Sequence, residues 1–184
     1  THAAIVVSES RGYAGETVEM TVTLKNNPGI MSARLMLEYD DEVLELVSVS
    51  NGEVFSENNF SFSDDRLWFA ASNDVTTDGV LATLIFNIEA NAKPDKAIVS
   101  VTYNAGDVFD ADFEDVEFDI VSGFVAVKTH ILGDVDSDGA VVYLDVASLY
   151  RHLAGWTEYN EDTLDLSVAD LNGDGKVNAK DATW

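Results

Sequence analysis

The chain has no cysteine and only two prolines in 184 residues. Without cysteine no disulfide holds it together, and the small secreted scaffolds that depend on disulfides are excluded. Basic residues are scarce too: ten Lys and Arg stand against 34 Asp and Glu, a formal net charge of −24. A surface this negative repels phosphate backbones, so no nucleic-acid partner is expected, whereas divalent cations are attracted. No apolar run approaches the ~18 residues of a membrane span, so no membrane insertion is expected. The opening Thr1-His2-Ala3-Ala4 shows no basic segment followed by an apolar one. A secretory leader is therefore expected to have been removed already or to lie outside the sequence. Catalytic signatures are missing as well. His2, His130 and His152 are scattered, there is no serine-hydrolase motif, and no Asp/Glu pair is marked out by its context for glycoside cleavage. A non-enzyme is expected.

What is present divides into two parts of different pattern, 1–128 and 129–184. Hydrophobic residues make up 46% of the chain, enough for a sizeable core. In the first part, stretches such as Val18–Leu24, Ala33–Tyr39, Val43–Val49, Leu67–Ala70 and Leu81–Ile88 alternate apolar with polar residues or are rich in β-branched ones. Turn formers such as Asn27-Pro28-Gly29, Asn51-Gly52 and Thr77-Asp78-Gly79 separate them. Many short strands with no helix between them predict a mainly β fold, an antiparallel sandwich of two sheets. From Leu132 the period changes: Val146, Leu149, Tyr150 and Leu153 form a helical stripe that ends before Gly155. A small α-helical domain is expected there. The junction Lys128-Thr129-His130-Ile131 has neither the length nor the composition of a flexible linker, so the two parts are expected to sit in a restricted geometry.

The second part carries the chemistry. Residues 134–145, Asp-Val-Asp-Ser-Asp-Gly-Ala-Val-Val-Tyr-Leu-Asp, place carboxylates at loop positions 1, 3, 5 and 12. Residues 170–181, Asp-Leu-Asn-Gly-Asp-Gly-Lys-Val-Asn-Ala-Lys-Asp, repeat the pattern with an amide at position 3. A hard cation such as Ca²⁺ takes six to eight oxygens at about 2.3–2.6 Å, and alternate residues of a tight loop can supply them. Glycine at position 6 permits the sharp turn. The expected ligands of two Ca²⁺ sites are Asp134, Asp136, Asp138, the Ala140 carbonyl and Asp145, then Asp170, Asn172, Asp174, the Lys176 carbonyl and Asp181. Position 12 is Asp in both loops, a shorter reach than the usual Glu, which draws the following helix closer to the metal. Position 9 is Asn178 in the second loop but the apolar Val142 in the first. Val141 and Val177, at position 8, are expected to pair the loops through a short backbone contact.

A duplicated loop of this kind, followed by Leu149-Tyr150-Arg151-His152-Leu153, resembles a dockerin, the docking module of cellulosome-type assemblies. The resemblance implies a module that folds on Ca²⁺ and binds a cohesin through its helices. It puts partner choice at loop positions 10 and 11, here Tyr143-Leu144 and Ala179-Lys180, with Tyr150 and Arg151 beside them. These two pairs are unlike each other, which argues against two interchangeable, symmetry-related binding modes. By analogy with the segment after Asp145, a further helix is expected after Asp181, so the dockerin is expected to be truncated at Trp184.

Beside a dockerin the first part gains an identity. Gly15–Val22, Asn27-Pro28-Gly29-Ile30, Leu37–Asp40, Val43–Leu46, Gly79–Phe86 and Val121–Val127 resemble a cohesin, with a jelly-roll sandwich. A cohesin presents one sheet face to a dockerin. If Ala33, Leu35 and Leu37 point inward, then Arg34 and Met36 point out, and Trp68 faces out if Leu67 and Phe69 are buried. Arg34, Met36 and Trp68 form the candidate patch. The implied function is a secreted, non-catalytic adaptor with cohesin-bearing and dockerin-bearing partners. The alternatives are a carbohydrate-binding sandwich carrying a dockerin, or self-association of one chain's dockerin with the next chain's sandwich.

Overall fold

The computed structural model describes residues 2–55, 59–93, 95–128 and 130–183. The chain divides into two compact units, 1–127 and 128–184. Thr129, within the junction, and Trp184, at the expected truncation, lie outside the described residues.

The first unit is a sandwich of two sheets. Its strands are β1 (Ala4–Val7), β2 (Ser10–Tyr13), β3 (Thr17–Lys25), β4 (Ile30–Tyr39), β5 (Leu44–Asn51) and β6 (Phe60–Ser63). They continue with β7 (Arg66–Val75), β8 (Gly79–Ile88), β9 (Asp95–Thr102), β10 (Val108–Phe109), β11 (Asp119–Val121) and β12 (Gly123–Lys128). Among the described residues one sheet runs β11-β1-β3-β8-β5 and the other β2-β12-β9-β4-β7-β6, with β10 pairing β4. β1 and β11 run parallel, Ile5 opposite Ile120, whereas β1–β3, β3–β8, β5–β8, β4–β7, β4–β9, β4–β10, β6–β7 and β9–β12 are antiparallel. The expected mainly β sandwich is what the chain forms, with this one short parallel pairing added at the edge of a sheet. The short strands β2, β6, β10 and β11 were not legible in sequence, because pieces such as Ser10-Arg11-Gly12-Tyr13 have no run long enough to show alternation.

Alternation decides which side chains meet between the sheets. Val18, Met20, Val22 and Leu24 of β3 pack inward, as do Leu35 and Leu37 of β4 and Leu84, Phe86 and Ile88 of β8. Phe86 is fully buried and meets Tyr39 edge-on at 5.2 Å. Truncating it leaves a cavity the size of a ring in a close-packed core. Phe86→Ala is expected to lower the stability of the sandwich by ~3–5 kcal/mol, read by urea unfolding. Close packing also governs the backbone. A Cβ at Gly123 would lie 1.9 Å from the Ser8 carbonyl oxygen, so only glycine fits where β12 begins.

Among its described residues the second unit contains one α-helix, α1 (Tyr143–Leu153), and two short 3-10 turns, Leu166–Val168 and Asp181–Thr183. Its core is small: Val135, Leu149, Val168, Ala169 and Ala182, with Val146, Leu166 and Val177 packed around them. No helix among the described residues is long and apolar enough to cross a membrane.

Candidate functional site

The two acidic loops fold alike: every side-chain hydrogen bond within the first recurs in the second, which adds those of Gly173 and Asn178. In the first, Asp134 accepts the amides of Asp138 (3.0 Å) and Gly139 (3.0 Å). In the second, Asp170 accepts those of Asp174 (3.2 Å) and Gly175 (2.8 Å). Position 3 then accepts position 5, Asp136 from Asp138 and Asn172 from Asp174. Position 5 accepts position 7, Asp138 from Ala140 and Asp174 from Lys176. The position-12 carboxylates close each loop from the far side. Asp145 accepts the amides of Asp136 (3.3 Å) and Val142 (2.7 Å), and Asp181 those of Asn172 (3.3 Å) and Asn178 (2.9 Å). Asp145 thereby also satisfies an N-terminal donor of α1, one half of a capping box. Gly139 and Gly175 both have positive φ, 92° and 79°, the conformation for which position 6 needs glycine.

The donor set fits a hard cation. Asp134, Asp136 and Asp138 bring carboxylate oxygens within 4.8 Å of one another, while Asp134, Asp145 and Asp181 are buried. Burial raises the Asp136 pKa from its ordinary value, and the neighbouring Asp145, Asp138 and Asp134 add to the rise. Crowding of this kind penalises negative charge, and a divalent ion relieves it. In the second loop the amide of Asn178 foremost, then that of Asn172, holds Asp181 below its usual value. Asn172 replaces a carboxylate there, so charge is less concentrated. The loops are not joined as expected: neither Val141 nor Val177 lies in a strand or β-bridge. Val141 instead leans towards Gly133, where an added Cβ would come within 3.0 Å of it, and the Gly133 amide donates to the Val168 carbonyl.

Of the residues placed at the dockerin-like surface, Tyr143 is 78% exposed, and Leu144 and Tyr150 are exposed beside it on α1. Ala179 and Lys180 are exposed on the second loop. Arg151 is differently placed. Its guanidinium donates to the Tyr159 hydroxyl at 2.8 Å and lies 5.0 Å from the Tyr159 ring and 5.8 Å from Trp156. It clamps the segment after α1, aided by His152, whose Nδ1 is 2.8 Å from the Tyr159 carbonyl oxygen. Trp156 and Tyr159 were not singled out in the sequence, because nothing in their spacing marks them as partners of a helix residue.

On the sandwich, Arg34, Met36 and Trp68 point away from the core, since Ala33, Leu35, Leu37, Leu67 and Phe69 fill the inward positions. Arg34 stands opposite Trp68 in the β4–β7 register and stacks over its ring at 5.0 Å. A cleft of about 450 Å³ opens here, lined also by Arg66, Thr102 and Asp107. Asp107 was missed in the sequence, because it lies 73 residues from the Arg34 that it pairs with. Arg34 donates from both Nε and Nη2 to one oxygen of Asp107, and the Asn104 amide donates to the other at 2.8 Å. Burial works to raise the Asp107 pKa, but the bonds from Asn104 and Arg34 together overcome it, leaving the carboxyl below its ordinary value. A carboxyl depressed on folding contributes stability above its unfolded pKa of ~3.9, and that contribution fades as pH falls through the lower folded value. The stability advantage of wild type over Asp107→Asn is therefore expected at neutral pH and shrinks below about pH 4. Urea titrations of both proteins across that range check it. A constant difference would exclude the ion pair as its source.

The chain thus joins a sandwich with an outward-facing patch on one sheet to a unit built around a duplicated acidic loop. The cohesin domain family matches residues 3–127 and the dockerin type I domain family matches residues 132–184. The chain belongs to the cohesin family and carries a type I dockerin after its cohesin. It is 31% identical over 135 residues to cellulose-binding protein A of Clostridium cellulovorans, covering 66% of this chain and 7% of that protein. It is 27% identical over 195 residues to cellulosomal-scaffolding protein A of Acetivibrio thermocellus, covering 91% of this chain and 10% of the relative. The chain thus spans a tenth or less of these relatives' own lengths. Among solved structures, the sixth cohesin of Acetivibrio cellulolyticus scaffoldin B, in complex with a Cel5 dockerin mutant, matches at a TM-score of 0.61 and 27% identity. That match covers 70% of this chain and all of the other. The Coh-OlpA-Doc918 cohesin–dockerin complex from Clostridium thermocellum matches at 0.62 and 22% identity, over 69% of this chain and 99% of that one, a likeness of fold.

Proposed function

We propose that this chain is a non-catalytic adaptor of an extracellular cellulosome-type complex. Its sandwich receives the dockerin of one protein through the outer face of β4 and β7, with Arg34, Met36 and Trp68 at the centre. Its own dockerin holds two Ca²⁺ ions and plugs into the cohesin of another protein through Tyr143, Leu144 and Tyr150 of α1 and Ala179 and Lys180 of the second loop. The observation that carries this reading is the presence on one chain of both halves of a docking pair, each with apolar side chains exposed where a partner would cover them. The repeat of each loop hydrogen bond supports two metal sites rather than one.

The role of the metal is structural. By closing each loop it fixes α1 and the turn at Asp181–Thr183, whose buried residues are too few to hold the unit alone. To test the reading, the full chain in calcium is passed over immobilised panels of type I cohesins and type I dockerins. Capture by at least one member of each panel is expected. Capture by neither panel, with retention on insoluble polysaccharide instead, would replace the adaptor by a carbohydrate-binding module.

A further inference from the structure

The cleft beside Trp68 has a charge that sets it apart from its surroundings. Arg11, Lys25, Arg34, Arg66, Lys93 and Lys96 are the only basic residues before position 128, in a unit otherwise crowded with Asp and Glu. Two of them, Arg34 and Arg66, line this one concavity. The register explains why: Arg34 faces Trp68 and Met36 faces Arg66 across the β4–β7 pair, so the two arginines stand in adjacent rows of the outer face. Their situations differ. Arg34 is neutralised by Asp107 and held against Trp68. Arg66 is exposed and has no ion pair among the described residues, even though Asp64 and Asp65 precede it in the turn. The cleft therefore offers a free guanidinium between a Trp ring and a Met side chain, within a strongly negative surface.

Resting on the reading of this face as a dockerin surface, we propose that the cleft receives an Asp or Glu side chain of the docked partner. Arg66 grips the carboxylate, while Trp68 and Met36 pack against its methylenes. A guanidinium presents paired N–H groups that match a carboxylate, and docking strips water from both, which strengthens the pair. Arg34, fixed by Asp107, positions the Trp68 ring rather than binding the partner's charge. This chain's own dockerin lacks such a carboxylate on its docking face. The one carboxylate of α1, Asp145, is 2% exposed and already accepts two loop amides. The docking face read on this chain's own dockerin, Tyr143, Leu144, Tyr150, Ala179 and Lys180, carries one base and no acid, so the occupant is the dockerin of another protein and not a second copy of this chain.

The probe is a phage-displayed type I dockerin randomised at its exposed helix positions, panned in calcium on the full chain and on its Arg66→Glu variant. Arg66 is exposed, so both proteins are expected to show the same thermal unfolding. Wild type is expected to select Asp or Glu at one helix position, and Arg66→Glu to select Lys or Arg at that same position. Arg66→Ala is expected to weaken the wild-type binders by about 10- to 100-fold. Binders that show no acidic preference, or that hold Arg66→Glu as tightly as wild type, would overturn the inference while leaving the dockerin surface standing. Failure of every library member to bind either protein would overturn the reading beneath it. A chain that sediments as a dimer through its own dockerin would contradict the exclusion of self-pairing.

Discussion

In EDTA, the calorimetric trace of the full chain is expected to lose the transition of residues 130–183 and to keep that of the sandwich. The asymmetry follows from what each unit buries. The sandwich has a continuous core drawn from both sheets, with Phe69, Phe86, Leu81 and Leu84 among side chains wholly removed from water. The second unit's core cluster is Val135, Leu149, Val168, Ala169 and Ala182, two of them alanines, with Leu164 buried outside it. A domain of that size is marginal from apolar burial alone. It also holds carboxylates crowded within 4.8 Å, whose mutual repulsion burial sharpens. With calcium about a thousandfold above its dissociation constant, each site adds ~4 kcal/mol to the folded state. Two sites therefore contribute on the order of the whole stability of a small domain, ~5–15 kcal/mol. Their removal leaves too little to offset chain entropy. Two unchanged transitions in EDTA would refute the role given to the metal.

Trp68→Ala is expected to abolish most dockerin binding while leaving the sandwich folded. Trp68 is 43% exposed, and its neighbours Leu67 and Phe69 supply the buried contacts of β7. Removing an outward ring strips Arg34 of its stacking partner but opens no cavity in the core. A surface substitution of this kind costs roughly 1 kcal/mol or less in folding. An aromatic at the centre of an interface, by contrast, carries ~2–4 kcal/mol of binding, a loss of about 30- to 1,000-fold in affinity. Titration calorimetry against a dockerin captured by wild type measures the loss, and thermal unfolding of the variant guards against misfolding. An affinity within twofold of wild type would move the docking surface away from β4 and β7.

Features set by local spacing were legible in the sequence. An acidic loop of this kind keeps its oxygens within twelve residues, so spacing alone picked out 134–145 and 170–181, the two segments whose hydrogen bonds repeat. The outward direction of Arg34, Met36 and Trp68 was legible for a similar reason, since strand alternation has a period of two. What was hidden depends on topology. Asp107 reaches Arg34 only because the turn after β9 returns to β4, and Arg66 joins the cleft through the β4–β7 register. The parallel pairing of β1 with β11 joins segments more than a hundred residues apart, and no local pattern announces it. Arg151 marks the limit of helical periodicity. Its place on α1 put it at the surface, whereas Tyr159 and Trp156, beyond Gly155, turn its charge to the task of fastening the next segment.

An adaptor must dock two partners at once, here one through a sheet face and one through the unit of the acidic loops. Sedimentation of the full chain with one captured dockerin and one captured cohesin in calcium tests it most directly, repeated with Asp134→Ala/Asp170→Ala. The prediction is a ternary complex for wild type, and for the variant a complex that keeps the dockerin and loses only the cohesin. Competition between the two partners for wild type, or a variant that still holds the cohesin, would contradict the account.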